Sequence, residues 1–327
     1  MSILSLKVMN NKKILITGVT GLLGSWLAEK LLEKNCSITG LALNSELDFL
    51  INSKKINNNI DMHYFDISEE DKLLTIFNKE YDLVIHLAAQ TQVGDAIKHP
   101  IHTFKSNIQG TWNILELCRL NDTPIVVASS DKAYGESELL PYEETFSLNG
   151  EYPYEVSKSA TDLLCKTYKT TYDLNVATLR CGNIYGGGDL NWERLIPGVI
   201  RWLISNETPV LRTNGTFKRD WVYVEDVVQA YIAVGAGLLD SQTDVSAAYN
   251  FSSTDYLSVS EIYKKIVSQF SSSYIDPIIQ EDSKYEIKDQ YLSSKKIKEE
   301  LGVSSKFNID SGLEKTISWY KEHLKNI

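Results

Sequence analysis

Short runs of apolar and β-branched residues alternate with longer segments of helical period in the first half of the chain. The runs lie at residues 13–18, 37–43, 82–89 and 124–130, and intervening segments such as 103–120 repeat their apolar residues at helical spacing. Repeated strand–helix alternation is typical of α/β folds. The sequence therefore predicts a doubly wound parallel sheet with ligands at the carboxyl ends of its strands.

The pattern changes beyond residue 180. Loops rich in Gly, Asn and Pro interrupt short helices there, and a Ser-rich stretch lies at 269–277. We therefore predict two domains. Residues 1–180 form the sheet domain, and residues 181–327 form a smaller mixed α/β lobe, with part of 217–245 returning to the first domain.

The charge balance argues against a polyanionic partner. The 327 residues include 33 Lys and Arg against 43 Asp and Glu, which gives a net charge of −10. We therefore expect no nucleic-acid partner. No apolar stretch approaches the ~18 residues that span a bilayer, and the first thirteen residues have neither a full apolar region nor a cleavage site. We accordingly expect a cytoplasmic protein without a membrane partner.

The cysteines and histidines do not suggest a cross-link or a metal site. The four cysteines are Cys36, Cys118, Cys165 and Cys181. They are widely spaced, without a CxxC pair, which favours reduced and buried thiols.

His99 and His102 are the only close histidine pair, and Pro100 between them disrupts a helical ligand face. We expect no metal ion.

Three glycines stand between the first predicted strand and the first predicted helix. Gly18, Gly21 and Gly24 form a GxxGxxG pattern directly after the run at 13–18. Glycines let the backbone approach a pyrophosphate closely, and the following helix N-terminus attracts its negative charge. A tight structural turn is the alternative. The position of the loop in an alternating α/β chain favours dinucleotide binding.

Two further segments bear on the nucleotide. The second strand ends in Leu43-Asn44-Ser45-Glu46, without an obvious acidic residue aimed at the ribose hydroxyls, and no Arg or Lys lies there to hold a 2′-phosphate. This favours NAD over NADP. Asp66, which follows the third strand, resembles the aspartate that contacts the adenine in the short-chain dehydrogenase/reductase superfamily, and a helix N-cap is its alternative role.

Tyr154 and Lys158 are one helical turn apart in the segment PYEVSK, and Ser130 ends a predicted strand upstream. An ammonium group and a positive nicotinamide beside a phenol lower its pKa from the usual value of about 10. The phenolate then accepts a hydroxyl proton as hydride leaves the adjacent carbon. Ser130 would hydrogen-bond the reacting oxygen. A surface helical pair and a strand-end turn are the alternatives.

These motifs resemble the extended short-chain dehydrogenases, specifically the nucleotide-sugar epimerase/dehydratase family, over essentially the full length. The segments that carry the resemblance are TGVTGLLG, DLVIHLAAQ, SNIQGTWNILE, SSDKAYG, YEVSK, RCGNIYGGGDLNWERLIP and KRDWVYVEDV. Within the family, the chain is most similar to CDP-glucose 4,6-dehydratases. The resemblance implies a Rossmann domain, bound NAD, a nucleotide-sugar substrate and a homodimer formed through segment 103–120 and the helix of Tyr154.

The resemblance also implies which residues bind NAD. They are Gly18, Gly21, Leu22, Leu23, Gly24, Asp66, Ile67, Leu87, Ala88, Ala89, Tyr154 and Lys158. Likewise, it assigns Asn183, Arg194 and Arg219 to the substrate diphosphate and sugar, a task that suits planar guanidinium groups. Loop arginines on the surface are the alternative.

Asp131 and Lys132 follow the candidate serine directly, and this pair is similar to the dehydratase type. Elimination of water across carbons 5 and 6 requires an acid for the departing hydroxyl and a base for the carbon-5 proton. We assign these roles to Asp131 and Lys132. A turn-capping aspartate beside a solvent-exposed lysine is the alternative.

Three functions remain open at this point. The first is a nucleotide-sugar 4,6-dehydratase, the second an epimerase or reductase of the same fold, and the third a non-catalytic dinucleotide-binding protein. Intact Ser130, Tyr154 and Lys158 argue against the third. The nucleotide base of the substrate stays open among CDP, GDP, UDP and dTDP, because KRDWVYVEDV departs from the CDP-glucose enzymes.

Overall fold

A computed structural model describes residues 7–47, 49–271, 273–280 and 287–324. The strands in this part of the chain are β1 (Lys13–Thr17), β2 (Ser37–Ala42), β3 (Ile60–Tyr64), β4 (Leu83–His86), β5 (Ile125–Ser130), β6 (Val176–Cys181), β7 (Asn183–Tyr185), β8 (Val210–Leu211), β9 (Lys218–Tyr223), β10 (Ala248–Phe251), β11 (Tyr256–Ser258), β12 (Ile278–Ile279) and β13 (Asp289–Gln290).

The α-helices of the described residues are α1 (Leu22–Leu32), α2 (Phe49–Ser53), α3 (Glu70–Ile76), α4 (Val93–Lys98), α5 (Pro100–Phe104), α6 (Gly110–Leu120), α7 (Pro153–Tyr172), α8 (Leu195–Ile204), α9 (Val224–Leu239), α10 (Val259–Ser268), α11 (Lys295–Leu301) and α12 (Ile309–His323). A π-helical turn, Lys105–Gln109, joins α5 to α6. A short 3₁₀ helix, Asp131–Tyr134, follows β5.

The main sheet is parallel and doubly wound, with strand order β10-β6-β5-β4-β1-β2-β3. The order reverses between β1 and β4, and this switch point is where ligands bind in such sheets. The predicted fold class is confirmed. The division into two domains at residue 180 stays a prediction, and β10, outside the range 217–245, also joins the main sheet.

Alternating side chains of the central strands fill two apolar layers. Ile14 and Ile16 pack with residues of α1 and α9 on one face, whereas Leu15 packs with residues of α6 on the other. Because a strand points successive side chains to opposite faces, an uninterrupted apolar run is what a strand covered on both sides requires.

A smaller lobe is built around β9, which pairs with β7, β11 and β13. Helices α8, α10 and α12 contribute to its separate apolar cluster. The four cysteines are buried and unpaired. Within the described ranges, the helices are too short or too polar to cross a membrane.

Candidate active site

The glycine loop makes a turn that only small residues permit. Gly18 has φ +72°, and a Cβ on Gly24 would lie 2.2 Å from the Gly18 carbonyl oxygen. The loop leads directly into α1, whose N-cap Gly21 has no capping side chain and whose first turn has no acidic residue. No acidic side chain of its own first turn offsets the positive end of α1, which fits a bound pyrophosphate.

Thr17 fixes the backbone opposite this loop. Its Oγ1 accepts hydrogen bonds from the amides of Leu87 at 3.2 Å and Ala88 at 3.1 Å, and lies 2.7 Å from His86 Nδ1. Burial, with the charge of Lys158 adding to it, lowers the pKa of His86 to about 3. His86 is therefore a neutral buried link between β1 and β4, and it keeps the two sides of the switch point together.

Four other residues predicted to bind NAD make contacts within the protein. Asp66 Oδ1 accepts from the Ser68 amide at 2.8 Å, so this carboxylate also shapes a turn. Ile67 is buried against Gly110, whereas Leu22 and Leu23 pack against the apolar cluster of the smaller lobe. The two leucines therefore join the glycine loop to the second lobe.

The candidate catalytic serine, tyrosine and lysine lie at the junction of β5 and α7. Ser130 ends β5, and its hydroxyl is close enough to Tyr154 to lower the pKa of that phenol. Lys158 Nζ lies 6.0 Å from the centroid of the Tyr154 ring and donates to the Ala128 carbonyl at 3.0 Å. The predicted trio is therefore brought together in space.

Burial dominates the titration of these groups. It raises the pKa of Tyr154 to about 12, against the lowering effects of Arg194 and Ser130. It also lowers the pKa of Lys158 to about 8, although the carboxylate of Asp162 acts in the opposite direction. In the chain alone, desolvation of the phenolate therefore outweighs the neighbours that lower the Tyr154 pKa, and the lowering by Lys158 together with a nicotinamide stays a prediction for the NAD-loaded protein.

Asp131 is almost completely buried, with 1% of its surface exposed. Its Oδ1 accepts from the Ser130 hydroxyl at 2.8 Å, while Oδ2 has no hydrogen-bond partner among the described residues. Lys132 is partly buried and donates from Nζ to Gln290 Oε1. Lys132 is thus held by protein rather than lying free in solvent, and Asp131 has acceptor capacity left for a ligand.

The predicted substrate residues occupy three different settings. Arg194, the N-cap of α8, contacts Asp189 at 3.0 Å and Thr91 at 3.3 Å, and so spans from the smaller lobe to the end of β4. Asn183 begins β7 and is partly buried. Arg219 is buried, and its Nη1 donates to the carbonyls of Lys218 and Lys288.

Two residues beside the site were not predicted. Gln290 reaches Lys132 from β13, and Asp220 on β9 is fully buried near Asp131. Burial, with a further contribution from Asp131, raises the pKa of Asp220 to about 7. Asp220 belongs to the segment KRDWVYVEDV, where an acidic residue within an apolar strand could have indicated a functional role from the sequence. No comparable local pattern marks Gln290.

The fold and this cluster define the class of dinucleotide-binding α/β proteins, with the candidate Ser-Tyr-Lys cluster at the carboxyl end of β5, next to the switch point between β4 and β1. Residues 14–244 match the NAD dependent epimerase/dehydratase family, and the chain belongs to that family. The predicted family and the prediction of NAD as cofactor are thereby confirmed.

Relatives within the family differ in activity. The chain is 28% identical to a CDP-glucose 4,6-dehydratase of Salmonella typhimurium, over 96% of this chain and 92% of that protein. It is 32% identical to a protein of Methanocaldococcus jannaschii named as a candidate UDP-glucose 4-epimerase, over 95% and 99% of the two chains. A solved dTDP-glucose 4,6-dehydratase of Streptomyces venezuelae, with NAD bound, superposes with a TM-score of 0.85 at 25% identity, covering 96% and 98%.

Proposed function

We propose that this protein is a nucleotide-sugar 4,6-dehydratase, which converts a nucleoside-diphosphate hexose to its 4-keto-6-deoxy derivative. The observation that supports this choice is the buried Asp131, whose Oδ2 is uncommitted among the described residues, directly followed by the partly buried Lys132. An oxidation and a re-reduction at carbon 4 alone require neither residue. Elimination of water requires both an acid and a base.

The oxidation step uses Ser130, Tyr154 and Lys158. Tyr154 accepts the proton of the carbon-4 hydroxyl, and Ser130 holds that oxygen by a hydrogen bond. Lys158 Nζ, 6.0 Å from the centroid of the Tyr154 ring, would place a positive charge beside the phenolate and so oppose the burial that raises the pKa of Tyr154. NAD, which the loop of Gly18, Gly21 and Gly24 would hold, would supply the hydride chemistry that the oxidation at carbon 4 and the reduction at carbon 6 require.

Asp131 and Lys132 then carry the elimination. Lys132, as the neutral amine, removes the proton from carbon 5, and Asp131, in its protonated form, donates its proton to the hydroxyl that leaves carbon 6 as water. A proton returns to carbon 5 when carbon 6 is reduced. The hydrogen bond from Ser130 to Asp131, 2.8 Å long, joins the oxidation site to the elimination site. Both steps therefore act on one bound sugar without its release.

Arg194 and Asn183 are our candidates for holding the substrate. Arg194 already spans both lobes near Tyr154, so a diphosphate placed there would lie beside the reacting sugar. Arg219 is a weaker candidate than its motif implied, because backbone carbonyls of its own lobe engage its guanidinium group. The nucleotide base stays open among CDP, GDP, UDP and dTDP.

The assembly and the compartment are also proposed. Trp112 on α6 and Leu163 on α7 are about half exposed, at 45% and 53%, which supports a homodimer through these helices. Light scattering that gives the mass of one chain, 37.0 kDa, would contradict it. Four unpaired cysteines fit a reducing compartment, and we place the enzyme in the cytoplasm.

The test begins with the purified protein, a panel of nucleotide hexoses and mass spectrometry of the products. We expect the loss of one water from one substrate, solvent deuterium at carbon 5, and transfer of the carbon-4 hydrogen to carbon 6. A product of unchanged mass, inverted at carbon 4 and free of deuterium at carbon 5, would instead establish the 4-epimerase activity suggested by the 32% identical relative.

The variant Asp131→Asn separates the two steps. Hydride transfer should continue, because Ser130, Tyr154 and Lys158 are intact, whereas elimination should stall and reduced nicotinamide should accumulate in a single turnover. Asp71→Asn, an exposed change on α3, is the matched control and should behave as wild type. Wild-type elimination by Asp131→Asn would remove Asp131 from the mechanism.

A further inference from the structure

Gln290 brings a distant part of the chain to the elimination site. Its Oε1 accepts a hydrogen bond from Lys132 Nζ, although the two residues are 158 positions apart in sequence. The Gln290 side chain is completely buried. A buried amide that contacts the candidate base is a feature of this chain that the Ser130, Tyr154 and Lys158 site does not use.

The backbone of Gln290 is held firmly. Strand β13 pairs with β9, with Gln290 opposite Arg219, and the Arg219 guanidinium donates to the Lys288 carbonyl at 2.7 Å. Asp220 accepts from the Leu292 amide at 3.3 Å. Contacts on both sides of Gln290 therefore fix the position from which its side chain reaches Lys132.

We propose that Gln290 is a positioning residue for Lys132, holding its amine beside Asp131 in the orientation that removes the carbon-5 proton. This inference rests on the proposed dehydratase function. A lysine side chain has several rotatable bonds, and a fixed acceptor at its tip removes most of that freedom before the substrate binds.

The choice of an amide at this place has a chemical reason. Carboxylates already lie near Lys132, namely Asp131 in the same 3₁₀ helix and Glu155 on α7. Another carboxylate would favour the charged ammonium, which cannot accept a proton. The neutral Gln290 orients the amine without adding a negative charge.

A second atom of the Gln290 side chain also relates it to Asp131. Its Nε2 is a buried donor with no partner among the described residues, as Asp131 Oδ2 is a buried acceptor with none. Both side chains lie close enough to the Tyr142 hydroxyl to influence its pKa. The proposed positioning residue and the candidate acid therefore lie near the same buried hydroxyl, which places Gln290 at the elimination site.

The test is a double-mutant cycle of Gln290→Leu and Lys132→Met in the NAD-loaded protein, with the substrate found in the mass assay. Single-turnover rates of hydride transfer and of water loss are measured separately, and thermal melting checks the fold. Gln290→Leu should leave hydride transfer within about twofold and slow water loss by about 10- to 100-fold, the range for a misplaced catalytic group. In the Lys132→Met background, the same change should slow water loss by less than about twofold.

Each other outcome counts against the proposal. Wild-type water loss by Gln290→Leu, an equal slowing of both steps, or additive effects in the cycle would show that Gln290 does not act through Lys132. Gln280→Leu, an exposed glutamine in the same lobe, is the control and should match wild type. If wild-type protein releases no water from any substrate, the proposed dehydratase function fails first, which keeps the two failures distinct.

Discussion

The substitution Asp220→Asn should change how the protein's stability depends on pH. Asp220 is completely buried, and its pKa in the folded chain is raised to about 7 from the usual 3.8. Between these two values the folded state retains a proton that the unfolded state has lost. The wild-type free energy of unfolding therefore falls as pH rises through this window, and the loss is complete above about pH 7.

The size of the effect follows from the pKa difference. A change from 3.8 to about 7 corresponds to on the order of 4 kcal/mol at about 1.4 kcal/mol per unit. About 2 to 3 kcal/mol of this falls between pH 5 and pH 8. The asparagine side chain of the variant does not ionise, so the variant should gain that amount relative to wild type over the same interval.

A second effect of the substitution does not vary with pH. Asp220 accepts hydrogen bonds from the amides of Ser253 and Leu292 through different oxygens. In the asparagine variant a side-chain nitrogen faces one of these two amides, and the lost hydrogen bond lowers the free energy of unfolding by about 1–3 kcal/mol. At each pH, the free energy of unfolding of the variant is compared with that of wild type. The prediction concerns how much this difference changes from pH 5 to pH 8, not its value at any one pH.

The assay is urea unfolding of both proteins at steps of half a pH unit. A stability difference that stays constant within about 0.5 kcal/mol between pH 5 and pH 8 would refute the reasoning. Asp131→Asn provides a control, because the Asp131 carboxyl contributes to the raised pKa of Asp220. In that background the pH window should move downward.

Three further predictions follow from the site and the core. Tyr154→Phe should reduce turnover by about 10² to 10⁴-fold with an unchanged melting temperature, and wild-type turnover would exclude the phenol as proton acceptor. Gly24→Ala should abolish NAD binding in calorimetry, because its Cβ would lie 2.2 Å from the Gly18 carbonyl oxygen; wild-type affinity would contradict this. Arg180→Met leaves the buried Asp162, 2.8 Å away in wild type, without its cation, so urea unfolding should show a loss of about 3–5 kcal/mol; a loss below about 1 kcal/mol would argue against a significant ion pair.

The sequence predicted the central strands well because they are buried on both faces. The runs 13–18 and 37–43 correspond to β1 and β2 with one extra residue each. The run 82–89 was predicted longer than β4, which ends at His86. The difference has a local cause, since the amides of the next two residues bind the Thr17 hydroxyl, and no apolar pattern records that.

The candidate site was predictable where its residues share one local motif. Tyr154 and Lys158 lie one turn apart on a helix, and Ser130, Asp131 and Lys132 are consecutive, so spacing alone groups them. Gln290 was not predictable, because its contact with Lys132 depends on how β13 pairs with β9. The raised pKa of Tyr154 was also missed, since the depth of burial that causes it is a property of the folded chain.

The place of β10 at the end of the main sheet has a consequence for how the chain folds during synthesis. Its partner β6 ends at residue 181, but residues 248–251 must also leave the ribosome before the outer edge of β6 is paired. Until then one edge of β6 stays unpaired and exposed, although every residue of this strand is buried in the folded protein. A fragment that stops at residue 180 would keep that edge permanently, and we expect it to aggregate during expression, whereas a chain that includes β10 would not.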